Sequence, residues 1–249
     1  MAEPLSAVII TRDAASRIES CLQSVAFADE ILIVDSGSTD ATLAIAQRYG
    51  ARVIHQEWLG YGKQKEFAAR QARNDWVLSL DADERVSEEL RHNIQQALAE
   101  PKFHACRMAR CNRFMGRWLR HGEGYPDWSL RLYHRDHAHW SDDPVHEKLE
   151  TDGKVITLLG DLLHESEQGI DDYLAKQNRY TTLQAEALHR AGRRANMFKL
   201  VLSPLFRFIK FYFLRLGFLD GVPGLVHIAI GCLNSFSKYA KLTELNRRR

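Results

Sequence analysis

The stretch DWVLSLDADER, Asp75 to Arg85, sets a short apolar run directly against three carboxylates. Trp76-Val77-Leu78-Ser79-Leu80 is too brief for a helix and rich in strand formers, which predicts a buried strand. Asp81, Asp83 and Glu84 follow at once. Unpaired charges are expensive to bury, so this cluster is expected where the strand leaves its sheet. In an open α/β sheet the carboxyl ends of the strands form the crevice in which ligands bind. Asp-x-Asp in that place can hold a hard divalent cation that in turn holds a phosphate, and magnesium takes such a mixture of carboxylates, waters and phosphate oxygens. An acidic surface loop after a strand has the same appearance. A phosphatase whose first Asp attacks phosphate is disfavoured, because Arg85 stands at the fifth position and several strands precede the motif.

Outward from this stretch the chain alternates strand and helix. Ala7 to Ile10 is an apolar run ending in polar Thr11-Arg12-Asp13, and Ile18, Cys21, Leu22 and Val25 then recur at helical spacing. Ile31 to Val34 is a second strand, followed by Asp35-Ser36-Gly37-Ser38-Thr39-Asp40, whose small polar residues turn the chain and cap a helix running to Tyr49. Arg52 to His55 is a third strand, and a helix over Lys63 to Arg73 leads back to the Asp-x-Asp. This order predicts a doubly wound, mainly parallel sheet. The polar clusters at Thr11, Asp35 and Asp81 then share one sheet edge. Neither GxGxxG nor GxxxxGK[ST] is present, so a dinucleotide fold or a P-loop is unsupported. Carboxylates for ribose hydroxyls and a metal for a diphosphate suit a nucleotide-sugar.

Composition limits the alternatives. With 249 residues, 45% hydrophobic and 27% charged, the chain can bury a sizeable core. A net charge of +2 is too small to indicate a nucleic-acid partner. Cys21, Cys106, Cys111 and Cys232 form no CxxC pair, so reduced thiols and a cytoplasmic protein are expected. MAEPLSAVII has no basic segment ahead of a long apolar run, and no secretory leader is expected.

Ala7-Val8-Ile9-Ile10-Thr11, Ile33 to Asp40 and Leu80-Asp81-Ala82-Asp83 together resemble the family 2 glycosyltransferases of the GT-A fold. More narrowly, Trp76 to Arg85, Arg131-Leu132-Tyr133, Val145-His146-Glu147 and Gly217 to Gly221 resemble the bacterial lipopolysaccharide core enzymes, including β-1,4-glucosyltransferases acting on the inner-core heptose. The likeness runs over nearly the whole chain; Ser36 stands where the family usually has a second Asp. It implies an α/β GT-A fold (Rossmann-like, a mainly parallel sheet with flanking helices) over residues 1–168; the change of character from Gly169 sets off a helical, amphipathic, membrane-associating region over 169–249. It also implies that Thr11 contacts the nucleotide through its backbone, that Asp35 binds the base and Asp81 the ribose or a metal-bound water, and that Asp83 coordinates Mg2+ or Mn2+. Lys63 would face the diphosphate, unless it is a solvated lysine at a helix end. His164, after an apolar run, is either a core imidazole or the ligand that completes the metal shell.

Trp118 and Tyr125, in and after the loop GRWLRHGEG, are candidate sugar-stacking faces, and Arg131 is a candidate sugar or acceptor contact. An inverting transferase needs one carboxylate to deprotonate the acceptor hydroxyl. Glu147 takes that position in the resemblance, with Asp143 as the alternative. Beyond Gly169 a helix begins, with Asp171 and Asp172 at its positive end. From Leu188 to Leu219 there are seven cations, no acid and many Phe and Leu, interrupted too often to span a bilayer. Such interleaving suits helices lying in an anionic interface, or else a packing element. Val222 to Phe236 also reads as too short to span.

The expected protein is a metal-dependent, inverting glycosyltransferase bound peripherally to the cytoplasmic face of the inner membrane. It would move a hexose, glucose from UDP-glucose by the resemblance, onto lipopolysaccharide core heptose. A polyprenyl-phosphate glycosyltransferase and a non-catalytic nucleotide-sugar-binding scaffold are the alternatives.

Overall fold

The structure, a computed structural model, describes residues 2–142, 147–165 and 169–247. Two compact units divide it, one of residues 1–110 and 127–164, the other of 111–126 and 165–249. Asp143 lies outside the described residues.

The first unit opens with β1 (Leu5–Thr11), α1 (Ile18–Ser24), β2 (Glu30–Asp35), α2 (Thr42–Arg48), β3 (Arg52–His55), α3 (Tyr61–Gln71) and β4 (Trp76–Asp81). β5 (Glu84–Val86), α4 (Glu88–Ala99) and β6 (Ala105–Phe114) follow. All seven residues of β1 are buried, as expected of a strand covered on both faces. Its side chains alternate: Ala7 and Ile9 join a cluster with Ile33, Leu78 and Leu80, while Val8 and Ile10 join another with Leu32, Val34 and Val77. Burying one such aliphatic side chain contributes about 1.5–3 kcal/mol.

Next come β7 (Arg117–Trp118), β8 (Asp127–His134), β9 (Ala138–Trp140), β10 (Leu149–Thr151) and β11 (Val155–His164). The main sheet has the order β3-β2-β1-β4-β8-β6-β11-β5. β3, β2, β1 and β4 are parallel, but β8 runs antiparallel to β4, β6 to β8 and β5 to β11. The sheet is therefore mixed where the alternation pattern predicted a mainly parallel one. A parallel neighbour needs a crossover of a dozen or more residues, usually a helix. Among the described residues no helix lies between β6 and β11, and the strands there turn back on one another.

The second unit holds α5 (Ile170–Arg190), α6 (Met197–Phe208), a π-helical turn over Ile209–Leu214, a 3-10 turn over Gly217–Asp220 and α7 (Gly221–Arg247). Asp171 and Asp172 fall in the first turn of α5 as expected. The run from Val222 to Phe236, expected to be too short to span a bilayer, lies within the single 27-residue α7, and together with the preceding turn this segment is long and apolar enough to cross one. A third of its most apolar window is buried, as a packed helix also would be.

Candidate active site

β1 and β2 pair with Thr11 opposite Asp35, and β1 and β4 with Ile10 opposite Asp81. The three polar clusters therefore lie side by side, with β2 and β4 on opposite sides of β1. The crevice at such a reversal of strand order is where open α/β sheets take ligands.

Each cluster is braced. The buried Asp35 carboxylate accepts from the Gly37 and Ser38 amides at 2.9 Å each and from the Ser38 hydroxyl at 2.5 Å. Asp13 ties the loop after β1 to the loop after β2, accepting from the Thr39 amide at 2.7 Å while its own amide donates to Ser38 Oγ at 2.9 Å. Ser36 accepts at Oγ from Gln64 at 3.0 Å. Thr11 is different. Its carbonyl accepts from the Ser36 amide at 3.0 Å, yet its buried hydroxyl has no hydrogen-bond partner. A buried hydroxyl without a partner is costly, so a bound polar ligand is a natural complement to it.

Asp81 sits between two cations. Lys65 Nζ lies 3.1 Å from one carboxylate oxygen and Arg131 donates to the other at 3.2 Å. Burial alone would push the Asp81 carboxyl up; the charges of Lys65 and then Arg131 outweigh it and hold the group well below the usual carboxylate range. Arg131, the candidate sugar or acceptor contact, is held by the protein's own carboxylates. Its guanidinium is 5% exposed and donates to fully buried Glu84 at 2.6 Å, while Glu84 in turn accepts the Asp81 amide at 3.1 Å. A buried guanidinium is tolerable only beside carboxylates, and here those carboxylates are the protein's own.

Asp83, in the turn between β4 and β5, has His164 Nε2 at 3.4 Å and Arg17 Nη1 at 3.8 Å. The pairing of β11 with β5 sets His164 opposite Glu84 and so brings the imidazole to the motif. Among the described residues no three His, Cys, Asp or Glu side chains are grouped to hold a metal. Asp83 and His164 form a two-residue donor set, one carboxylate and one imidazole, which fits a cation that takes its remaining ligands from water and a diphosphate.

Lys65 carries no local signal in the sequence. It is 2% exposed, and besides Asp81 it lies 3.6 Å from Glu147 Oε1 and 4.8 Å above the Trp140 ring. Glu147 is thereby joined to the Asp-x-Asp through one ammonium group. Gly62 makes that approach feasible, because a Cβ there would run into the Ser141 carbonyl oxygen, with Glu147 Cβ close behind. Lys63 points elsewhere: it is exposed and 3.8 Å from exposed Asp142. The two lysines are two residues apart on α3 and so leave it in different directions. Trp118 and Tyr125 belong to the second unit, where Arg113 stacks 5.8 Å from the Trp118 ring and the Tyr125 carbonyl accepts from Arg215 at 2.8 Å.

A family model described as glycosyl transferase family 2 matches residues 6–151. The lipopolysaccharide core biosynthesis glycosyltransferase LpsC of Rhizobium meliloti is 32% identical over 97% of this chain and 92% of its own. An uncharacterised glycosyltransferase of Rickettsia typhi is 33% identical over 97% of this chain and 87% of its own. Among solved structures, the mannosyltransferase PcManGT of Pyrobaculum calidifontis, in complex with GDP-Man and Mn2+, aligns at a TM-score of 0.54 and 15% identity, over 100% of this chain and 87% of that one. S. aureus TarS 1-349 in complex with UDP-GlcNAc aligns at 0.50 and 18%, over 98% and 92%.

Proposed function

The chain belongs to glycosyltransferase family 2, and from that premise we propose that it transfers a hexose, with inversion, from a nucleoside-diphosphate sugar to the lipopolysaccharide core. The observation that carries the reading is the joining of Asp81 and Glu147 through buried Lys65, beside the Asp83–His164 pair. Thr11 and Asp35 line the nucleotide end. Asp81, kept ionised by Lys65 and Arg131, accepts from ribose hydroxyls. Glu147 takes the proton from the acceptor hydroxyl as that oxygen bonds to the anomeric carbon and the bond from that carbon to the diphosphate breaks. Asp83 and His164 would hold a divalent cation, which supplies charge to offset that developing on the departing diphosphate. Lys65 holds both Glu147 and Asp81, so the base and the donor are positioned together.

Glucose from UDP-glucose and a heptose acceptor are the specific choices, supported by the likeness of the motifs to lipopolysaccharide core glucosyltransferases and by the name borne by the LpsC relative. Product analysis tests them. The purified protein is incubated with UDP-glucose, other nucleotide-sugars, truncated lipopolysaccharide and a polyprenyl phosphate. Glucosylated core is expected; label appearing on the polyprenyl phosphate instead would replace this reading, and no transfer from any donor would leave a binding scaffold.

The protein acts on the cytoplasmic face of the inner membrane, attached through α6 and the π-helical turn. Phe198, Phe206, Phe213 and Leu214 are exposed there at 74%, 63%, 53% and 75%, alongside exposed Lys199 and Lys210. Two cations of the segment are held within the protein, Arg207 by Glu123 and Arg215 by the Tyr125 carbonyl. Each basic residue near an anionic surface contributes about 1 kcal/mol. Changing Arg194, Lys199 and Lys210 together to Gln should weaken binding to phosphatidylglycerol vesicles by roughly 100-fold at low salt. Equal binding by variant and parent would make these helices packing elements only.

A further inference from the structure

No residue of α6 is buried, and Phe198, Leu202, Leu205 and Phe206 are exposed, while polar groups line a cavity of about 250 Å³ formed with α5 and α7. At roughly 30 Å³ per water the cavity has room for about eight waters, the scale of one sugar ring and not of a nucleotide.

Its lining is ordered in pairs. Glu123 and Arg207 face each other in a two-pronged ion pair, and the Asn234 amide donates to Gln177 at 2.8 Å. Tyr173 Oη meets His227 Nε2 at 3.2 Å; burial pushes the His227 imidazole down and the Tyr173 phenol up to about 12, so both face the cavity uncharged. Gly231 keeps the space open beside the ion pair, since a Cβ there would strike the Glu123 carboxylate. Tyr180 adds an aromatic face. Lys238 lines the cavity with no acidic partner among the described residues, only the Tyr239 ring 4.8 Å away. With Arg207 and Glu123 cancelling, Lys238 leaves the cavity with one positive charge in excess.

Paired donors and acceptors, aromatic faces and one spare cation are what a sugar ring bearing a negative charge requires. We propose that this cavity binds one anionic saccharide, phosphorylated or carboxylated, belonging to the lipid-linked acceptor. Lys238 meets its charge, and the Gln177–Asn234 and Glu123–Arg207 pairs meet its hydroxyls. The assignment rests on the reading of the chain as a transferase acting on a lipid-linked glycan. A polar cavity within a unit that carries exposed apolar side chains on α6 also suits one that takes a sugar head group from a membrane surface.

The test is calorimetric titration of the full-length protein, with saturating UDP to occupy the donor site, using glucose 6-phosphate, glucose and inorganic phosphate separately. Glucose 6-phosphate should bind best. Lys238→Gln and Gln177→Ala should each weaken it about tenfold, as expected for loss of a charge-assisted or buried hydrogen bond, with UDP affinity unchanged in both. Equal binding of inorganic phosphate and glucose 6-phosphate would reduce the cavity to an anion hole. Undiminished binding in both variants, or none in the parent, would overturn the proposal. Failure of the parent to bind UDP would instead count against the transferase reading, so the two are separable.

Discussion

Asp83→Ala is expected to lower sugar transfer by about 10³-fold or more while the fold survives. A metal ion supplies several kcal/mol of charge stabilisation to a departing phosphate, and each ~1.4 kcal/mol is a factor of ten in rate. Asp83 lies in the turn after β4, and its carboxylate is partly exposed, with His164 and Arg17 as its ionic neighbours among the described residues. Its loss opens no cavity in the core. Mn2+ binding, followed by electron paramagnetic resonance in the presence of UDP, should fall in parallel with activity, and His164→Ala should weaken it by a smaller factor. Circular dichroism should be unchanged. Full activity of the parent in excess chelator, or unchanged Mn2+ binding by Asp83→Ala, would sink the assignment.

The second large effect is expected at Glu147. Gln at this position preserves size and hydrogen bonding near Lys65 but cannot take a proton, and loss of a general base costs roughly 10²–10⁴-fold. Donor affinity should be retained, because the groups at the nucleotide end, Thr11, Asp35 and Asp81, are untouched. Single-turnover measurement with saturating donor separates the chemical step from binding. Should Glu147→Gln remain active, Asp143→Asn is the variant to measure next, and a collapse there would move the base to Asp143.

The fates of Lys63 and Lys65 show where reading the chain stops. A lysine at the start of the helix that follows a glycine loop is a reasonable phosphate contact, and Lys63 stands there. Nothing in local composition marks Lys65 as different. The fold distinguishes them, turning Lys63 to solvent and Lys65 inward to Asp81 and Glu147. Arg131 teaches the converse. Alternation in DWSLRLYH placed it on a strand, but which side of that strand faces the Asp-x-Asp depends on β8 pairing antiparallel to β4. The signal available was Glu84: a third carboxylate beside Asp-x-Asp, too deep to remain unpaired, implies a cation nearby in space.

The sequence by itself determined the parallel half of the sheet and the edge at which its polar clusters meet. Apolar runs, turn residues and helical spacing are local, and right-handed crossovers leave few ways to assemble them. It also marked Asp81 and Asp83, because carboxylates directly after a buried strand have nowhere else to go. Only the tertiary structure decided the antiparallel half, the placing of His164 beside Asp83, and the ammonium group shared by Asp81 and Glu147. Those contacts join residues 16 to 82 positions apart, and strand register and helix rotation set them; neither leaves a local pattern in the chain.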